Sequence, residues 1–307
     1  MYPKCNCCVA TFSIVAFDPV TKDLGVAVQS RYFSVGSVVP WAEAGVGAIA
    51  TQSFVNVSYG PQGLQLLQNG LTVTEVIEKL TNPDEGRDFR QLGIIDAKGN
   101  AAAFTGEKCL KWAGSKIGTN YAAQGNILAG ETVVSNMGKR FESSNEDLAG
   151  KLIAALEGGQ EAGGDSRGRQ SASLLVVRKD GGRGGYGDRY IDLRVEDHPT
   201  PIKELRRLLN LFRVYYLNDE SEEQFTAGDL ENALATAKKA ISLNPKIDDA
   251  HITVALILLR LNRKDEAVNA LKEALRLNPN LKHLIKQLPE VGLMDHDEEL
   301  FKKLQIK

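Results

Sequence analysis

Apolar and polar positions divide this chain into two unlike parts. Up to His198-Pro199 the apolar runs are short and end in turn residues; from Ile202 onward they recur at helical spacing. "TFSIVAF" from Thr11 and "LGVAVQS" from Leu24 flank the turn cluster "DPVTKD" and predict a hairpin. "SVVPWAEAGVGAIATQS" predicts one or two further strands. "GPQGLQLLQNGL", with Pro61 near its start and Gly70 at its end, predicts a helix, and "TVTEVIEKLTN" predicts a second behind a threonine cap. "RQLGIIDAKGNAAAFTG" predicts a hairpin turning at Lys98-Gly99-Asn100. Helices are expected around Glu131–Ser143 and Asn145–Leu156, followed by strands "SASLLVVR" and "RYIDLRV". Sequential hairpins with paired helices, rather than alternating strand and helix, point to two antiparallel sheets enclosed by helices.

The second part repeats itself. Ala233 and Ala267, Ala240 and Ala274, Leu243 and Leu277, Asn244 and Asn278, and Pro245 and Pro279 are each 34 residues apart, the tetratricopeptide period. "GDLENALATAKKAISLNP" and "KDEAVNALKEALRLNP" read as second helices of such repeats. The first helix of the earlier repeat is a poor match, because acidic "NDESEEQ" interrupts its pattern. One good repeat, one partial repeat and a divergent cap are expected. Since solenoids usually need about three repeats to stand alone, packing or self-association is the expected role, with a protein partner as the alternative.

Composition narrows the functional classes. A net charge of −2 over 307 residues gives no electrostatic case for nucleic acid, and no apolar stretch is long enough to span a membrane. Four cysteines are too few for a disulfide framework, and a reducing cytoplasm is expected. Cys5, Cys7 and Cys8 lack the companion ligands of a structural zinc site, so neither metal nor cofactor is expected. Gly182, Gly184 and Gly187 match a dinucleotide fingerprint by letters, but no helix follows them.

The stretches "ATFSIVAFDPVTKDLGVAVQSRYFSVGSVVPWAEAGVGAIATQSFVNVSYGPQGL", "AAFTGEKCLKWAG", "YAAQGNILAG", "GGDSRGRQSASLLVV" and "DRYIDLRVEDHPTPI" resemble the DUF1028 family, over about Thr11 to Leu205. That family is placed in the N-terminal-nucleophile (Ntn) hydrolase superfamily. The resemblance implies a four-layer αββα sandwich over 11–205, and the 34-residue period adds an all-α tetratricopeptide-like domain over 206–307, an α+β fold in all. Residues 1–10 are expected to form a short leader.

An Ntn mechanism would use the first residue of the mature chain as nucleophile. Its α-amine, with a pKa of about 7.7–8, serves as base. The resemblance places Thr11 in that role, to be uncovered by cutting the Ala10–Thr11 bond; the plain alternative is a β-branched strand residue. The implied substrate is a small amide, ureido or peptide-like molecule; the short repeat domain, not the resemblance, points to a homo-oligomer. Arg31 is expected to lower the amine pKa or hold a substrate carboxylate, against a loop-ordering ion pair. Asn126 is expected to donate to the oxyanion, against a turn-satisfying amide. Gln52, Tyr59, Asp165, Arg167 and Arg169 are expected to line the substrate site, against ion pairing among the last three. The competing reading is a non-catalytic ligand-binding sandwich whose repeats recruit a protein.

Overall fold

The computed structural model describes residues 8, 9 and 11–306, with only the backbone of Cys8 and Val9. The remainder of the expected leader, with the Ala10–Thr11 bond and Cys5 and Cys7, lies outside the described residues. The chain divides into two compact units between Leu209 and Asn210.

In the first unit the strands are β1 (Cys8–Val9), β2 (Thr11–Phe17), β3 (Leu24–Ser30), β4 (Pro40–Glu43), β5 (Gly47–Phe54), β6 (Arg90–Asp96), β7 (Ala101–Thr105), β8 (Gly114–Gly118), β9 (Tyr121–Gly125), β10 (Ser171–Val177) and β11 (Arg189–Val195). They form two antiparallel sheets. One runs β1-β5-β6-β7, with β4 also on β5; the other runs β11-β10-β3-β2-β9-β8. Helices α1 (Tyr59–Gln68) and α2 (Val73–Thr81) cover the first sheet, and α3 (Thr132–Ser143) and α4 (Leu148–Glu161) cover the second. The result is a four-layer αββα sandwich.

Register explains the apolar strands. Thr11, Ser13, Val15 and Phe17 share a face of β2, and their partners on β3 are Ser30, Val28, Val26 and Leu24. Val15, Phe17, Val28, Val26 and Leu24 pack with Ala48 and Ala50 of β5, so this face looks between the sheets. The alternate residues look outward: a Cβ on Gly25 would strike Leu152 of α4, and one on Gly159 would touch Phe12. Both faces are buried, which is why hydrophobicity does not alternate here. The hairpin at Lys98–Asn100 forms as expected, and Asp18 starts the β2–β3 turn by accepting from the Val20 and Thr21 amides. Strands β8 and β9 escaped the pattern because they are short and rich in Gly, Ala, Lys and Gln.

Helix α5 (Pro201–Thr226) carries the chain into the second unit, which contains α6 (Leu230–Leu243), α7 (Asp248–Arg260), α8 (Lys264–Leu277), α9 (Leu281–Gln287) and α10 (Glu298–Lys303). The acidic run "NDESEEQ" does not break α5, contrary to expectation. Ser221 is buried and donates to the Ala233 carbonyl at 2.8 Å, while Asn218 donates to Glu222 at 2.8 Å. The 34-residue period is visible as chemistry. Ala233, Ala240, Ala267 and Ala274 are all fully buried where helices approach. Asn244 and Asn278 make the same turn, accepting from the amides two residues on at 3.0 and 3.1 Å. Among the described residues no helix is long and apolar enough to cross a membrane.

Candidate functional site

Thr11 opens β2 at one end of the space between the sheets and is fully buried. Its hydroxyl donates to the Gln29 carbonyl. Thr11, Ser30 and Ser171 lie side by side on β2, β3 and β10, and Ser13 and Ser173 lie one step deeper on the same face. Opposite them, Gln52 and Gln91 are paired across β5 and β6. The polar side chains join between the sheets. Ser13 donates to Gln52 Oε1 at 2.6 Å and accepts from Gln124 Nε2 at 2.7 Å. Gln52 Nε2 and Asn126 Nδ2 both donate to Gln91 Oε1 at 2.8 Å. Gln91 Nε2 donates to the Gly125 carbonyl at 2.8 Å and to Thr105 at 2.9 Å.

The other side of this end is built by the glycine-rich loop. Its backbone lies along Ile127–Ala129: the Ser166 amide donates to the Ile127 carbonyl at 2.9 Å, and the Ala129 amide to that of Gly164 at 3.0 Å. That places the buried Asp165 carboxylate under Arg31, whose amide it accepts at 3.1 Å; it also accepts from the Arg167 amide at 3.0 Å and guanidinium at 2.8 Å. The Arg31 guanidinium donates to Gln170 Oε1.

So the structure gathers Thr11, Arg31, Asn126, Gln52, Asp165 and Arg167 at one end of the sandwich. Two other expected residues lie elsewhere. Tyr59 packs in the layer between α1 and the first sheet, and its hydroxyl donates to Asp84 at 2.7 Å. Arg169 lines a separate cavity of about 140 Å³ with Gln160, Thr200, Ile202 and Lys203. The residues not foreseen are Gln91, Gln124, Ser30, Ser171 and Ser173. A readable signal existed: each is a polar residue at or within two residues of a strand end, in step by twos with an apolar, inward-facing position.

The Tyr59 cluster is a structural anchor. Asp84 is bonded by Arg90 at 2.9 Å, by Tyr59 and by the Gly86 amide at 2.7 Å. Burial pushes the Asp84 carboxyl up, but Arg90, Tyr59 and Gly86 outweigh it and bring its pKa down to about 2. Burial, reinforced by Asp84, pushes the Tyr59 phenol up. A carboxyl depressed in the folded state stabilises it above the unfolded value of about 3.9, and that contribution is lost as pH falls through the folded value. Acidification from about pH 4 to pH 2 should therefore remove on the order of 2 kcal/mol. Asp84→Asn should flatten that part of a urea-denaturation series; an unchanged acid limb would refute the assignment. Cys109 is buried and faces the Arg90 carbonyl at 3.3 Å; burial pushes its thiol up, as for an inert structural cysteine. Among the described residues no cluster of ligands suits a metal ion.

The model of the family described as "Family of unknown function (DUF1028)" matches residues 11–205. The chain belongs to the DUF1028 family. A tetratricopeptide-repeat model matches residues 224–288. A crystal structure of a Silicibacter pomeroyi protein assigned to the DUF1028 family model is similar to this chain, with 33% identity and a TM-score of 0.60, covering 65% of this chain and 88% of that one. No curated protein matches.

Proposed function

We propose that this DUF1028 domain is an N-terminal-nucleophile amidohydrolase for a small amide, ureido or peptide-like substrate. Thr11 is its nucleophile and the Thr11 α-amine its base. One observation carries the reading. β1 pairs with β5 in one sheet, Val9 opposite Ser53, whereas β2 belongs to the other sheet from Thr11 onward. The chain therefore changes sheets between Val9 and Thr11, at the polar end of the sandwich. A cut at Ala10–Thr11 would free an amine beside the Thr11 hydroxyl, Asn126 and Arg31. An amine of pKa about 8 can take the hydroxyl proton near neutral pH without a histidine. Asp165 fixes the Arg31 backbone, leaving its guanidinium at the loop surface to meet a substrate carboxylate.

A binding module is the second reading, favoured by the burial of Thr11 and by its hydroxyl bond to the Gln29 carbonyl while the preceding chain is attached. In either case the repeats serve packing, self-association into a homo-oligomer or recruitment of a protein. The sparse cysteines favour a cytoplasmic setting. Intact-mass analysis of the purified protein separates the two. A chain beginning at Thr11 is the expected result, and one that keeps Met1–Ala10 in every preparation would sink the hydrolase reading.

A further inference from the structure

The hydrogen bonds of the polar core have a direction, and one backbone atom sets it. The Gly125 carbonyl can only accept, so the Gln91 amide turns Nε2 toward it at 2.8 Å. Gln91 Oε1 then faces the other way and accepts from Gln52 Nε2 and Asn126 Nδ2. Gln52 Oε1 must take the Ser13 proton, and Ser13 Oγ must accept from Gln124 Nε2. Flipping any of these amides would set like atoms face to face. Asn126 is thereby forced to turn Oδ1 away from Gln91. Asn126 is fully buried, and Oδ1 has no hydrogen-bond donor.

Asn126 itself lies opposite Thr11. The Asn126 amide donates to the Thr11 carbonyl at 3.0 Å, one step beyond the Phe12–Gly125 pair. Residues directly opposite in antiparallel strands have Cβ atoms about 4.5–5.5 Å apart. We infer that Asn126 is wired as an acceptor, and that its Oδ1 receives an N–H from the freed α-amino group of Thr11. Asn126 thus positions the base instead of donating to the oxyanion. This inference rests on the hydrolase reading. A neutral amine has two N–H bonds and one lone pair; holding an N–H fixes where the lone pair points, which is what proton transfer from the adjacent hydroxyl requires. An acceptor also favours the ammonium form and so raises the amine pKa. Arg31, Asp165 and Arg167, charged groups that the described residues place at this end, are the same in all the variants below.

The test is the pKa of the Thr11 amine in the matured full-length product, from the pH dependence of its reductive methylation read by mass spectrometry. Asn126→Ala should lower it by about one unit, and Asn126→Asp should raise it. Equal values in wild type and both variants would overturn the inference. An unshifted pKa with turnover about 100-fold lower in Asn126→Ala would return Asn126 to the oxyanion and leave the hydrolase reading standing. An unshifted pKa with a higher KM for N–H-bearing substrates would reassign the oxygen to substrate. A chain retaining residues 1–10 would overturn both, and the intact mass reveals this before any titration. If Asn126→Ala does not fold, Asn126→Leu, which also removes Oδ1 but keeps the volume, carries the test with the same expected fall in pKa.

Discussion

Gln91→Leu should destabilise the sandwich by on the order of 4 kcal/mol, a large fraction of the roughly 5–15 kcal/mol that holds an ordinary domain folded. Leucine fills the volume and supplies apolar surface, so a reading from burial alone would predict a mild effect. The hydrogen bonds predict otherwise. Losing Oε1 strips Asn126 Nδ2 of its acceptor and leaves Gln52 Nε2 only the long bond to the Gln124 carbonyl at 3.4 Å, and losing Nε2 strips a donor from the Gly125 carbonyl. Gln52, Gln91 and Asn126 are all fully buried, so water cannot replace these partners cheaply. Each stranded group costs about 1–3 kcal/mol, against a net worth of about 1 kcal/mol for a satisfied bond. Gln91→Glu sharpens the test. Protonated, it keeps one accepting oxygen and donates its O–H to the Gly125 carbonyl; ionised, it points an oxygen at that carbonyl. Its folded pKa should be raised above about 4.3, so its stabilising contribution is present below that value and lost as pH rises through the folded pKa. A urea midpoint for Gln91→Leu within about 1 kcal/mol of wild type would show that the core tolerates open bonds.

What the sequence disclosed and what it hid follow from the same structure. The two-part division was legible because hydrophobic period changes at one place and because Asn244 and Asn278 reuse one turn. The β2–β3 hairpin was legible because Asp18 is a turn residue with a mechanism. The site was legible only in part. Thr11 was found through family resemblance and its place at a strand start. Gln91 and Gln124 were not, since glutamine inside a strand looks like a solvated position. Only the register, which sets Gln52 beside Gln91 and Ser13 beside Gln124, together with the Ser13–Gln52 bond between the sheets, shows that these side chains meet in a buried layer. Tyr59 shows the opposite hazard. Its closeness to Gln52 in sequence suggests a shared pocket, yet β5 buries Ile49 and Gln52 on opposite faces, and Tyr59 follows the Ile49 side.

Thr11→Ala should abolish amide hydrolysis, by on the order of 10⁴-fold or more, while leaving a folded protein. The asymmetry is the point. In the intact chain the Thr11 hydroxyl makes one hydrogen bond, to the Gln29 carbonyl. The variant leaves that carbonyl one partner short and costs about 1 kcal/mol. In the reaction the same oxygen would form the bond to the substrate carbon, and nothing beside it can substitute. Ser13 shares its face, but its Oγ is held by Gln52 and Gln124 and has no free amine for a base. Ser13→Ala should therefore lower stability through the polar core and leave a mature Thr11 able to turn over, the reverse of Thr11→Ala. Thr11→Ser should keep measurable activity, because the hydroxyl and the amine both remain. The assay is turnover of amides, ureido compounds and short peptides that the wild type hydrolyses, with urea midpoints for each variant. Turnover surviving in Thr11→Ala would place the chemistry away from Thr11, whereas ligand binding that survives Thr11→Ala and falls when Arg31 or Asp165 is changed, with no turnover in the wild type, would favour the binding-module reading.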